Sequence, residues 1–188
     1  AFRGAQLDIK GASRLTSQGA ELLGKDIALG LEIDLRTASE TGGLTKSVVP
    51  SAKYLNSQIG SYTAAFSSSQ KELFRKIFAS YADKSNYPIY IHCVYGADRT
   101  GTVCYILNAL LGVDEKTLIQ DYEFTTFSDA GLRSAATNAE MKAFLSSFSA
   151  LSGSTSAEKA ENYLLSIGVT SEEISTIRGI FFGEIPIN

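Results

Sequence analysis

"YPIYIHCVYGADRTG", residues 87–101, is the stretch whose reading decides the fold. Its opening, Tyr87–His92, is short, rich in β-formers and punctuated by a proline, which reads as a strand. Its end runs on into "RTGTVCYILNALLG" (99–112), nearly all apolar and stopped at Gly112, which reads as a buried central helix. Between them lies the loop Cys93-Val94-Tyr95-Gly96-Ala97-Asp98-Arg99. The chain's only histidine, His92, stands beside one of its two cysteines at the end of the strand.

A loop between a strand end and a helix start leaves its backbone N–H groups without secondary-structure partners. Turned inward, they form an anion nest to which the helix dipole adds positive potential. The N–H groups from Val94 to Arg99 are the candidate phosphate binders. Gly96 allows the tight turn, and the Arg99 guanidinium offers a planar fork that matches two phosphate oxygens. Cys93 sits at the base, where the positive field favours a thiolate. A thiolate beneath a bound phosphate ester is placed for in-line attack, giving a phosphocysteine that water then removes. His92 is expected to face away from the loop and to shape it through the Cys93 backbone. Thr100 is expected to reach the sulfur and ease its departure. The competing reading makes Cys93 a structural core residue and Arg99 a helix-start cation. A cation there is unfavourable unless an anion is held beside it.

Upstream, "LGLEIDLRT" (29–37) alternates, with Leu31, Ile33 and Leu35 on one side and Glu32, Asp34 and Arg36 on the other, the pattern of a strand. Asp34 and Arg36 are candidates either for the pocket mouth or for a structural ion pair. Glu40 follows as a further pocket candidate. "SVVP" (47–50) reads as a second short strand and residues 53–67 as a polar loop holding Tyr54 and Tyr62. "SSQKELFRKIFASYAD" (68–83) reads as a helix with a Ser69–Glu72 capping box and a buried stripe of Leu73, Phe74, Ile77, Phe78 and Tyr81. Later helices are expected to begin near Asp114, Thr137, Thr155 and Thr170, the last three with glutamate at the capping-box spacing. The apolar stripe Met141, Phe144, Leu145, Phe148 belongs to the core. The final pair of helices has helix-turn-helix spacing, but in an acidic chain it reads as a hairpin packed on the core.

The chain has 188 residues, 44% apolar and 20% charged, with a net charge of −3. That suits one globular domain. No basic cluster suggests nucleic acid, and no apolar run reaches the length of a membrane span. A chain that starts at Ala1 reads as a mature or excised fragment whose leader has been removed, with cytoplasmic and secreted locations both open. Cys93 and Cys104, at opposite ends of one helix, stand about 16 Å apart by helical rise, too far for a disulfide.

"HC-x-x-G-x-D-R-T-G" is a form of the C-x5-R signature of cysteine-dependent phosphatases. Beyond the loop, the chain resembles the bacterial atypical tyrosine/serine protein phosphatases through "FRGAQL" (2–7), "EIDLRT" (32–37), "LLGVDEKTLIQDYEFT" (110–125) and "YLLSIGVTSEEISTIR" (163–178). The resemblance implies an α/β cysteine-phosphatase fold, with a short, mostly parallel sheet flanked by helices and a helical C-terminal half. It implies one phosphatase domain over residues 1–188, without the glycine-rich strand that opens family chains. It further implies phosphotyrosine, phosphoserine or phosphoinositide substrates and no metal or other cofactor. Family members acting on phosphoinositides carry lysine where this chain has Ala97. The expected activity is therefore that of a protein phosphatase hydrolysing phosphotyrosine, with phosphoserine and phosphothreonine also open, on a phosphorylated protein or small phosphoester. An inositol-phosphate phosphatase is the alternative, and a catalytically dead phosphate-binding module is the alternative of another class.

Many relatives of this chemistry keep an acidic residue on a movable loop ahead of the cysteine, to protonate the leaving group. Residues 41–71 hold no carboxylate, and only Glu72 and Asp83 follow before Cys93. Asp98, inside the loop, is then the expected acid, with bracing of the turn as its other role. Asp34 and Glu40 are the reserves.

Overall fold

The computed structural model describes residues 1–8 and 15–187. Four short strands, β1 (Phe2–Gly4), β2 (Leu31–Asp34), β3 (Lys53–Asn56) and β4 (Ile89–His92), form one sheet in the order β1-β4-β2-β3. Every pairing is parallel, and the register ends the strands side by side at Gly4, His92, Asp34 and Asn56. All that follows these strands therefore emerges along one edge, where parallel sheets gather their ligand sites.

Helices follow in chain order. Short α1 (Ser17–Glu21) runs into a π-helical turn over Leu22–Asp26, and α2 (Ala38–Thr41) is a single turn. α3 (Lys71–Ala82) precedes β4, and α4 (Asp98–Leu110) follows it. α5 (Glu115–Phe124), α6 (Ala139–Ser149), α7 (Ser156–Ser166) and α8 (Ser171–Phe181) fill the second half. No helix among the described residues is long and apolar enough to cross a membrane.

The main core joins Leu31, Ile33, Ile89 and Ile91 of the sheet to Phe74, Ile77, Phe78 and Tyr81 of α3, and to α4 and the later helices. Each such buried side chain contributes about 1.5–3 kcal/mol. α4 is buried from Thr100 to Leu110 except at Asn108, as its unbroken apolar run requires. Asp114, Thr155 and Thr170 cap α5, α7 and α8 as expected, the last two through complete capping boxes. Met141, Phe144 and Phe148 are buried, and Leu145 packs against them. Both cysteines are free; burial pushes the Cys104 thiol up to about 11, in keeping with a core residue.

Four expectations are corrected. Residues 47–50 form a bend and turn, not a strand, because the Ser47 hydroxyl takes the Val49 N–H and Pro50 lacks one to give. The strand is instead β3, inside the stretch read as loop, which also folds a 3-10 turn over Tyr62–Phe66. Ser69 does not cap α3, since residues 68–70 form their own 3-10 turn and Gln70 precedes the helix without a side-chain cap. α6 is capped by Asn138 rather than Thr137. The polar side of β2 also departs from a half-exposed strand. Glu32, Asp34 and Arg36 are all buried, and a second small core of Leu7, Leu29 and Val49 lies against Tyr90.

Candidate active site

The loop from Cys93 to Asp98 is shaped by what lies outside it. Gly96 has φ +73°, and a Cβ there would stand 2.3 Å from the Gly4 carbonyl oxygen. Strand β1 and its extension bond to the loop's carbonyls: Gln6 N–H donates to Val94 O at 3.1 Å and Arg3 Nη2 to Gly96 O at 2.8 Å. With its carbonyls held outward, the loop keeps its donors free. Among the described residues, no N–H from Val94 to Ala97 donates to a backbone or side-chain acceptor, and the first N–H groups of α4 add to them. Cys93 is 3% exposed and Ala97 is buried, while the Tyr95 side chain points to solvent. Thr100 is fully buried, and its hydroxyl makes no hydrogen bond, to sulfur or to any other atom.

Beneath the loop, His92 meets the Cys93 carbonyl oxygen through Nδ1 at 3.1 Å and Glu32 Oε1 through Nε2 at 2.8 Å. A carbonyl only accepts, so Nδ1 is the donor there. Glu32 also accepts from the Ser47 hydroxyl. Beside this pair, Asp34 accepts from Arg36 Nε at 2.9 Å, from Arg36 Nη2 at 2.6 Å and from the Tyr54 hydroxyl at 2.9 Å. Burial raises the Asp34 carboxyl, but the Arg36 bonds and the nearby positive charges outweigh it and hold the group below its usual range. Arg36 further reaches Asp8 at 2.7 Å and Gln6 Oε1 at 2.9 Å. Of the two roles open to Asp34 and Arg36, this geometry is that of the structural pair, since neither has surface to offer a pocket mouth. Glu32, Asp34 and His92 lie close enough to share a metal ion, yet each already has protein partners.

Above the loop, Arg99 and Glu40 meet fork to fork, with Nη1–Oε2 at 2.7 Å and Nη2–Oε1 at 2.8 Å. The Arg99 bonds, aided by the Thr37 cap and against some desolvation, hold the Glu40 carboxyl down to about 2. Asp98 is gripped by Arg133 through two bonds of 2.9 Å and accepts from the Tyr62 hydroxyl. Burial raises the Asp98 carboxyl, but Arg133 and Tyr62 more than reverse it. Tyr62 adopts φ +54°, a conformation side chains avoid, and its N–H is tied to Thr102 Oγ1 at 2.8 Å. Sequence reasoning missed Arg133, Arg3 and Glu32 as partners of the site, and it reads Tyr62 as a surface tyrosine of a polar loop, whereas Tyr62 is buried with its hydroxyl on Asp98. The one available signal was Glu32, a carboxylate on a strand that neighbours the only histidine.

The model of the tyrosine phosphatase family matches residues 2–183. The chain belongs to that family. As a tyrosine phosphatase family member it is a hydrolase of phosphate esters. No curated protein matches the chain. Among solved structures, it is similar to the core catalytic domain of the PP-IP phosphatase SIW14 from S. cerevisiae in complex with citrate. That likeness has a TM-score of 0.46 and 16% identity, over 70% of this chain and 74% of that one. A structure of the Siw14 catalytic core is similar with a TM-score of 0.48 and 13% identity, over 98% of this chain and 94% of that one.

Proposed function

We propose that this family member is a protein-tyrosine phosphatase that works through a phosphocysteine on Cys93. The observation that supports it is the set of unpaired N–H groups in the loop that directly follows a buried cysteine and leads into Arg99. The N–H groups and the Arg99 fork hold the three non-bridging oxygens. The Cys93 thiolate attacks phosphorus, the S–P bond forms as the P–O bond breaks, and the electron pair leaves on the phenolic oxygen. Water then attacks phosphorus, the thiolate departs, and the water's protons end on the released phosphate. A pocket for monoesters fits better than one for inositol polyphosphates. Arg3, Arg36 and Arg133, the other arginines bonded in and around the loop, each already face a carboxylate.

Turnover of p-nitrophenyl phosphate, stopped by vanadate, tests the enzyme against the phosphate binder. A panel of phosphotyrosine peptides and inositol phosphates then tests the substrate class. Activity is expected to survive chelator and to be lost to mild peroxide, which oxidises a reactive thiolate. Phosphate binding without turnover would establish the binding module instead, and restoration of chelator-lost activity by zinc or magnesium would contradict the thiolate mechanism.

A further inference from the structure

Three large apolar side chains stand in water on one short segment: Phe124 is 65% exposed, Phe127 89% and Leu132 77%. Single exposed apolar residues are ordinary, but a cluster of them marks a surface that something else covers. Phe124 ends α5, Phe127 ends the 3-10 turn that follows it, and their rings lie 6.4 Å apart. The chain then turns back. Thr126 Oγ1 accepts from the Arg133 N–H at 2.9 Å and donates to the Arg133 carbonyl oxygen at 3.0 Å, so Phe127 and Leu132 leave the same closure, one on each side. The Ala135 N–H ties the returning chain to Glu123 Oε1 at 2.9 Å. That closure is fastened to the active site, because the Arg133 guanidinium makes its two bonds of 2.9 Å to Asp98, the residue before Arg99.

We propose that the segment from Phe124 to Leu132 is a docking surface for a protein substrate: it takes an apolar side chain, with a lysine or arginine beside it, from the stretch of chain that flanks the phosphorylated tyrosine. This rests on the protein-tyrosine phosphatase reading above and goes beyond it. Continuity with the phosphate loop places the patch. A single arginine side chain spans the gap between them, which a few extended residues at about 3.3 Å each also cover. Charge selects the occupant. Between residues 117 and 141 the chain has no lysine, and its one arginine, Arg133, is spent on Asp98. Asp129 is exposed at the turn between Phe127 and Leu132. An apolar surface that carries a carboxylate repels anionic lipid headgroups and acidic peptides and suits an apolar residue next to a basic one. The turn is held by its own hydrogen bonds before anything docks, so little ordering is left to oppose binding.

The test is kcat/KM of the full chain on p-nitrophenyl phosphate and on two phosphotyrosine peptides, one flanked by leucine and lysine and the other by alanine and glutamate at the same positions. The wild type is expected to prefer the first peptide by about tenfold or more, the value of covering one large apolar side chain. The double variant Phe127→Ser, Leu132→Ser is expected to lose that preference and to turn over p-nitrophenyl phosphate as the wild type does. Asp129→Lys is expected to weaken the preference for the lysine-flanked peptide and leave p-nitrophenyl phosphate unchanged. Equal kcat/KM for the two peptides in the wild type, or a preference that survives the double variant, overturns the proposal. An equal fall on all three substrates also overturns it and makes the segment a brace for Asp98. Sedimentation and vesicle binding read the other occupants. A dimer, or binding to phosphatidylcholine–phosphatidylserine vesicles, that is lost in the double variant gives the surface to a second copy or to a membrane and overturns the proposal. Failure to turn over any of the three substrates instead overturns the phosphatase reading on which the proposal stands.

Discussion

Cys93→Ser is expected to lower turnover of p-nitrophenyl phosphate by on the order of 10⁴ or more, since a serine hydroxyl with no base beside it is a far weaker nucleophile than a thiolate. Binding of inorganic phosphate is expected to change little. In the proposed mechanism the binding donors are backbone N–H groups of the loop, of which those of Val94–Ala97 are unpaired, and the Arg99 fork, and none of them involves the sulfur. Arg99→Lys separates charge from geometry. A lysine ammonium keeps the charge but cannot place two parallel N–H bonds, on phosphate or on Glu40, so a loss of about 10²–10³ in kcat/KM is expected. Isothermal titration with phosphate and steady-state kinetics read the two effects apart. Residual Cys93→Ser activity within tenfold of wild type would sink the nucleophile assignment.

The parts of this site that were legible in the sequence are those carried by neighbouring residues. A strand, a loop with cysteine and arginine, and an apolar helix occupy one unbroken stretch, and local pattern is enough to read it. The polar side of β2 was misread because alternation separates the two faces of a strand without telling what covers each. Glu32, Asp34 and Arg36 are buried because hydrogen bonds with His92, Ser47, Tyr54 and Gln6 satisfy them. β3 was lost in a polar run since "KYLN" holds one aliphatic residue, Leu55, and is recruited by pairing with β2 rather than by its own propensity. Asp98 shows the limit most directly. Its place beside Arg99 is plain in the sequence, but its partner Arg133 stands on a distant loop with no motif around it. That partner, with Tyr62, is what holds the carboxyl below its usual range against burial.

Gly96→Ala is expected to damage the site more than any other small substitution in the loop. At φ +73° a side chain costs about 1–2 kcal/mol in backbone strain. The added Cβ would also lie 2.3 Å from Gly4 O and 2.5 Å from Gly4 C, which are backbone atoms without a rotamer to yield. Relief requires β1 to move from the loop, and β1 carries Arg3 and leads to Gln6, the residues that hold Gly96 O and Val94 O. Gln6 also meets Arg36 in the buried cluster under Cys93. The clash and the strain together predict a loss of about 3 kcal/mol or more, or a Tm lower by roughly 6–12 °C for a chain of this size. Gly101→Ala, four-and-a-half ångströms of helix away by about 1.5 Å rise from Asp98, is the contrast. Its Cβ meets only Arg3 Nη2, at an ordinary 3.5 Å, inside α4. There alanine is expected to leave Tm unchanged or raise it, since glycine costs a helix interior about 0.5–1 kcal/mol. Calorimetry of the two variants checks the argument: a Gly96→Ala protein that melts within a degree of wild type and keeps its kcat/KM would mean that contact with β1 does not shape the loop.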